Sequence, residues 1–217
     1  MKSPFLSVCL AGLFSSLPAR AADTAAVEGT VPLAKPAVTA PVNQRYQPQP
    51  GEVGTAASLP VAVVFLDVSG AATNAAPATV AMPQRNLQFA PGLLAIRRGT
   101  LVEFPNQDDF YHNVFSYSKV KRFDLGRYLK SEKPAAQRFD QAGVVKLYCE
   151  IHEQMRGTIL VLDTPYFQKT DTHGGFQLTG LPAGKFKLKA WVDEKTTLER
   201  EVELKDGATV RVDFTGK

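Results

Sequence analysis

The chain has 217 residues, 44% hydrophobic and 21% charged, enough for one large or two small domains with real cores and ordinary for a globular protein. Disorder throughout, collagen and a multi-bridge disulfide scaffold are excluded. The 25 basic and 21 acidic residues give a net charge of +4, spread with no basic block beyond pairs such as Arg97-Arg98, so nucleic acid is not an expected partner.

The chain opens MKSPFLSVCLAGLFSSLPARA. A short positive start at Lys2, an apolar run over 5–14 and the small-x-small triplet Ala19-Arg20-Ala21 form a secretory signal pattern, with cleavage expected after Ala21. The apolar run is too short to span a bilayer, and no transmembrane segment is expected. Cys9 follows Val8 rather than a small residue and does not read as a lipid-attachment site. Loss of residues 1–21 leaves 23 basic against 21 acidic residues, a net charge of +2, and removes one of the two cysteines. Cys149 would then stand alone in an exported, oxidising compartment, with no intramolecular partner.

Residues 22–58, rich in Ala, Pro, Val, Gln and Gly, read as a flexible lead-in with room for one short strand at VEGTV (27–31). The run VAVVFLDV (61–68) is a buried strand ended by Ser69-Gly70. Short strands follow: Leu87 alternating with Phe89, Leu94 with Ile96, LVEF (101–104) stopped by Pro105-Asn106, then 113–117, 144–149 and 158–162. Strands of this length between Gly, Pro, Asn and Asp turns mark a β-sandwich or barrel. Residues 120–129 leave room for one turn of helix. After Asp163-Thr164-Pro165 a second pattern begins, in which Phe176 and Leu178, then Phe186, Leu188 and Ala190, then Val202-Glu203-Leu204 and VRVDF (210–214) alternate with charged residues, as half-exposed antiparallel strands do. About 50 residues is thin for an independent core, and 61–68 is the natural strand for it to borrow.

The chemistry concentrates at YCEIHEQM (148–155), a C-x2-H-x2-M spacing between two strands, and at His112, which follows the polar loop 106–111. Thiolate, two imidazoles and a thioether are the donor set of a blue-copper site, three in a near-trigonal plane with Met as a weak axial ligand. Cys149, His152 and Met155 lie on one loop, and His112 must come from a neighbouring strand. An inert buried thiol, a Cys-His hydrolase and structural zinc are the competing readings. For Met155 the competing reading is core packing. Asn113 is suited to supply a backbone N–H and a side-chain link between the two ligand loops, or simply to close a turn. His173, in Thr172-His173-Gly174-Gly175, reads as an exposed turn residue outside the site.

At these residues the chain resembles the cupredoxins, small blue-copper proteins that include plastocyanin, pseudoazurin and amicyanin. The resemblance rests on the Asn-x5-His-Asn-Val run from Asn106, the preceding RGTLVEF strand and the short C-x2-H-x2-M loop, which is similar to that of amicyanin. Residues 80–168 look more like cupredoxin-like methylamine-utilisation proteins, through Phe104-Pro105-Asn106, His112-Asn113-Val114, FDLG (123–126), the Cys149 loop and Thr164-Pro165-Tyr166-Phe167. Residues 170–214 resemble, more weakly, the carboxypeptidase-regulatory or transthyretin-like sandwich, in Thr170-Asp171 with Gly174 and in Leu181-Pro182-x-Gly184-x-Phe186.

The resemblance implies an all-β chain: a Greek-key cupredoxin β-sandwich over 80–164, enclosed by a small sandwich of 59–79 with 165–217. It implies one type 1 copper per chain on His112, Cys149, His152 and Met155, with Asn113 linking the loops, and His152 nearest the surface. The expected role is a periplasmic carrier of single electrons, not an enzyme, serving a c-type cytochrome or a periplasmic dehydrogenase. Copper trafficking or storage, and an envelope carbohydrate- or protein-binding module, are the alternatives. One departure from the family is that Glu150 and Glu153 flank His152, where electron-transfer cupredoxins show an apolar patch.

Overall fold

The structure, a computed structural model, describes residues 24–33, 60–68 and 78–214. The expected signal peptide, Cys9 and most of the lead-in lie outside the described residues. Within them the chain is all-β, as expected, and no helix is long and apolar enough to cross a membrane. In chain order the strands are β1 (Ala25–Thr30), β2 (Val63–Asp67), β3 (Thr79–Ala81), β4 (Gln84–Arg85), β5 (Gln88–Phe89), β6 (Leu93–Arg97), β7 (Thr100–Phe104), β8 (His112–Tyr117) and β9 (Arg122–Tyr128). There follow β10 (Ala135–Phe139), β11 (Gly143–Tyr148), β12 (Arg156–Leu162), β13 (Phe167–Lys169), β14 (Gly175–Leu181), β15 (Gly184–Trp191), β16 (Thr197–Leu204) and β17 (Thr209–Arg211).

One sandwich packs the sheet β10-β7-β3 against the sheet β6-β12-β11-β8-β9. Met82, Phe104, Val114, Phe139, Leu147 and Ile159 fill the space between them. Most pairs are antiparallel, but β3 runs parallel to β7 and β6 parallel to β12, so the chain crosses between sheets rather than meandering. The second sandwich packs β14-β1-β17 against β13-β2-β15-β16 around Val27, Leu66, Leu178, Leu188 and Phe214.

The two uninterrupted apolar runs of the sequence join these units. In a strand, successive side chains take opposite faces. On β12, Ile159 and Val161 therefore enter the first core while Leu160 and Leu162 point the other way. On β2, Val64 and Leu66 enter the second core, and Val63 meets Leu160 and Leu162 in a third cluster with Phe65, Leu93, Phe167 and Trp191 packed on it. Both strands are buried on both faces, which is why neither alternates in sequence.

Two local expectations change. The segment left open to a turn of helix is strand β9, because Phe123 and Leu125 alternate onto the first core and the strand pairs with β8. Leu87 does not alternate with Phe89 on a strand: Asn86 and Leu87 form the turn of the hairpin β4–β5, with φ of 54° and 58°. The short strand left open at 27–31 is present as β1, starting at Ala25, and it pairs antiparallel with β14 and parallel with β17, partners more than 140 residues away.

Candidate metal centre

Strand β8 begins where its neighbour β11 ends, the two being antiparallel with Tyr148 opposite Phe115. That places His112 and Cys149 at the same end of one sheet. The hairpin from β11 to β12 closes at the pair Tyr148–Arg156, so residues 149–155 form a loop over that end, folded back by the Met155 amide donating to the His152 carbonyl at 2.9 Å. The short spacing of the loop thus brings His152 to the same point as Cys149.

Three donor atoms converge there. His112 Nδ1 lies 3.1 Å from His152 Nδ1 and 4.0 Å from Cys149 Sγ, and His152 Nδ1 lies 3.7 Å from that sulfur. A point equidistant from all three, fixed by those separations, sits about 2.1 Å from each, within the range of about 2.0–2.3 Å for metal–imidazole and metal–thiolate bonds. Among the described residues these are the group of His, Cys and carboxylate side chains placed to hold a metal ion. His112 and Cys149 are buried and His152 is half-buried. Met155 is fully buried in the same core cluster as Cys149. His173 lies apart on an exposed turn, its amide donating to Asp171.

The electrostatics favour an anionic sulfur. Burial pushes the Cys149 thiol up, but the His112 hydrogen bond and the backbone N–H groups of Asn113, Ile151 and His152 outweigh it and bring the thiol down to about 6. Burial disfavours an imidazolium at His112, yet its bonds to Cys149 and Asp108 raise it above the ordinary histidine value. Deeper in the core, Tyr128 donates to the Phe104 carbonyl at 2.6 Å, and burial pushes its phenol well above the usual range. The phenol stays neutral.

Asn113, 1% exposed, joins the pieces. Its Oδ1 accepts the Glu150 amide at 2.8 Å, and its Nδ2 donates to Asp124 at 3.0 Å. Asp124 also accepts the Gly126 amide, at a bulge between the pairs Asn113–Arg127 and Phe115–Asp124 where β9 carries an extra residue and Gly126 takes φ of 70°.

Two features were not assigned from sequence. Asp108 Oδ2 lies 2.8 Å from His112 Nε2, an i, i+4 spacing visible in sequence but with nothing to show that the acid turns inward. Burial pushes its carboxyl up, but bonds from His112, Asn86 and Leu87 outweigh this and hold it below the ordinary value. Phe110 sets its ring edge-on to both imidazoles, with centroids 5.1 Å from His112 and 5.5 Å from His152. With Tyr111 and Ile151 it leaves an exposed apolar surface beside the loop. Glu150, one of the two acids flanking His152, is paired with Arg127 at 2.6 Å. A broad open cleft on the second sandwich, bordered by Asp67, Tyr166 and Phe186, shares no residue with the donor cluster.

No family model matches the chain, and no curated protein matches it. Solved structures are similar over part of it. A reduced amicyanin variant is 23% identical, with a TM-score of 0.36, the match covering 39% of this chain and 82% of that one. A purple cupredoxin from Nitrosopumilus maritimus is 26% identical, with a TM-score of 0.34, covering 39% of this chain and 99% of that one. A copper-containing nitrite reductase from Thermus scotoductus is 25% identical, with a TM-score of 0.38, covering 46% of this chain but 25% of the reductase.

Proposed function

We propose that this protein is a type 1 copper protein of the cupredoxin kind, carrying single electrons in the periplasm. In this reading the sandwich over 80–164 carries the metal, and 59–79 with 165–217, joined by β1 of the lead-in, form an enclosing transthyretin-like sandwich. The observation that carries it is the convergence of His112 Nδ1, His152 Nδ1 and Cys149 Sγ on one point. Two imidazole nitrogens and a sulfur with a depressed pKa aim their lone pairs at that point, an arrangement that a soft cation satisfies. His112, Cys149 and His152 would hold the ion, and Met155 would supply the thioether. When bound, copper supplies one-electron chemistry between Cu(II) and Cu(I).

The chain's own groups do the rest. Asn113, Ile151 and His152 donate backbone N–H groups to the sulfur, which stabilises its charge and limits its exchange with solvent protons. Phe110 shields both imidazoles on one side, while half-buried His152 gives electrons a short route to the surface. The exposed side chains of Phe110, Tyr111 and Ile151 supply the apolar contact that Glu150 and Glu153 lack, suited to brief docking with a redox protein such as a c-type cytochrome or a dehydrogenase.

The test is addition of Cu(II) to the metal-free protein. An intense visible thiolate-to-copper band and a narrow-hyperfine EPR signal are expected, with both lost in Cys149→Ser. A colourless protein would refute the reading. Tight Cu(I) binding and transfer to an acceptor, without reduction or oxidation by a cytochrome, would replace electron carriage with copper delivery.

A further inference from the structure

We propose that Asp108 is the positioning residue of this centre: its carboxylate fixes which nitrogen of His112 faces Cys149 and His152, and couples that imidazole to the turn between β4 and β5. The metal-binding consequence rests on the copper reading above; the tautomer consequence does not.

The argument begins with donors and acceptors. An ionised carboxylate accepts hydrogen bonds and donates none. Asp108 Oδ2 lies 2.8 Å from His112 Nε2, the imidazole is fully buried and the acid's side chain is 9% exposed. Nε2 must therefore carry a proton whether the ring is charged or neutral. Nδ1, 3.1 Å from His152 Nδ1 and 4.0 Å from Cys149 Sγ, faces the cluster: it donates to the thiolate when the ring is charged and directs its lone pair there when the ring is neutral. A ring with the opposite tautomer would bring two acceptors together at Asp108 and a proton to the point where the donors meet. Carboxylate partners of this kind orient a ligand histidine and raise its basicity.

The acid is itself held from several directions. Oδ1 accepts the Asn86 amide at 2.8 Å and Oδ2 the Leu87 amide at 3.1 Å. The Asp108 amide donates to Asn106 Oδ1, whose Nδ2 donates to the carbonyls of Phe110 and Tyr128. Asn86 and Leu87 both occupy the left-handed region. A two-residue hairpin turn of this type favours Asn-Gly, and at Leu87 the side chain makes it costly. The two amides of that turn converge on one carboxylate, which holds the turn in place. One anion thereby serves the hairpin and the imidazole.

A role confined to the turn would leave His112 indifferent to Asp108, and this separates the two possibilities. Asp108→Asn keeps the shape but has one oxygen where two are used. If that oxygen serves His112, the amide NH2 faces the Asn86 N–H; if it serves Asn86, the NH2 faces Nε2 and favours the other tautomer. Because loss of the anion also loosens the turn, Leu87→Gly is the background of choice: it gives Asn-Gly, which forms the turn without help.

The measurement is 15N-resolved NMR of His112 in the metal-free full chain, followed by Cu(I) affinity from competition with a chelator. At a pH where the ring is neutral, His112 is expected as the Nε2–H tautomer in native protein and in Leu87→Gly. Adding Asp108→Asn is expected to populate the Nδ1–H form and to lower copper affinity by roughly 10- to 100-fold, with Leu87→Gly thermal unfolding retained. The reduction potential should move upward, since a negative charge beside the more positive oxidised state is lost. Retention of the Nε2–H tautomer, with affinity within about twofold by the same scale, would overturn the proposal. If native protein binds no copper, the copper reading fails, and the tautomer comparison still decides the role of Asp108.

Discussion

Replacing Asn113 with alanine tests whether the two halves of the site are tied by a side chain. The variant removes the bond from the Glu150 amide and the bond to Asp124 but keeps the backbone N–H directed at the thiolate. A typical net contribution is about 1 kcal/mol for a neutral hydrogen bond and about 1.5–3 kcal/mol for one to a charged group. The loss is therefore about 2.5–4 kcal/mol, since the first bond is neutral and the second has a carboxylate acceptor. For a chain of this size each kcal/mol moves the melting temperature by about 2–4 °C, so a fall of roughly 5–15 °C is expected in the metal-free protein. Asp124→Ala should cost as much or more, because Asp124 also holds the Gly126 amide. The double variant isolates the shared bond: a coupling of about 1 kcal/mol or more is expected in the cycle. Unfolding of Asn113→Ala within about 0.5 kcal/mol of the native protein, with no coupling to Asp124, would refute the inference that this side chain joins the loops.

Two further outcomes follow from the geometry. Thiolate absorbance of metal-free protein should rise with pH through a midpoint near 6, because a depressed pKa keeps the anionic form down to lower pH. His112→Ala should move that midpoint upward, and a native midpoint in the ordinary thiol range near 8.5 would contradict the assigned contacts. Gly174 has φ of 87°, and a Cβ there would lie 2.1 Å from the Val31 carbonyl oxygen, whereas Gly180, at φ of 71°, has open space. Gly174→Ala should therefore destabilise the chain by clearly more than the cost of about 1–2 kcal/mol for a left-handed side chain alone, which is all that Gly180→Ala should show in denaturant unfolding.

The candidate donors were legible because residue types that can ligate are scarce and three of them fall on one short loop. A hairpin closed at Tyr148–Arg156 has few ways to arrange Cys149, His152 and Met155, so local spacing carries most of the geometry. The strands 61–68 and 158–162 were legible for a related reason: an unbroken apolar run signals burial on two faces. What the sequence withheld depends on distant partners. Asp108 and Asp109 are adjacent and chemically identical, yet the first is buried against His112 while the second is 90% exposed and pairs with Lys130. Only the path of the loop, set by Asn106 and by a hairpin 20 residues upstream, decides between them. Strand β9 was obscured because the bulge at Gly126 breaks its alternation, moving the inward side from Phe123 and Leu125 to Tyr128. Residues 27–31 gave a possible strand but no hint that β1 would lie between β14 and β17.

The second sandwich bears on the site through β12. Without it, Leu160 and Leu162 would face water beside the strand that closes the candidate loop, each exposing a side chain whose burial is worth about 1.5–3 kcal/mol. Their packing against Val63, with Leu93 and Val144, makes β6, β12 and the start of β11 a middle layer rather than an outer one. Strands packed on both faces have few alternative side-chain arrangements, since interiors at protein density do not deform continuously. The loop that β12 closes, which carries Cys149 and His152, is thereby tied to the most rigid part of its sheet. In the proposed one-electron centre such rigidity would be the useful property, because each ångström the donors do not move is reorganisation the electron does not wait for. The same reasoning bears on His112 and Asn113, the buried members of the network around the triangle: each is satisfied by a carboxylate, Asp108 and Asp124, whereas an exposed ion pair such as Arg127–Glu150 is screened by solvent.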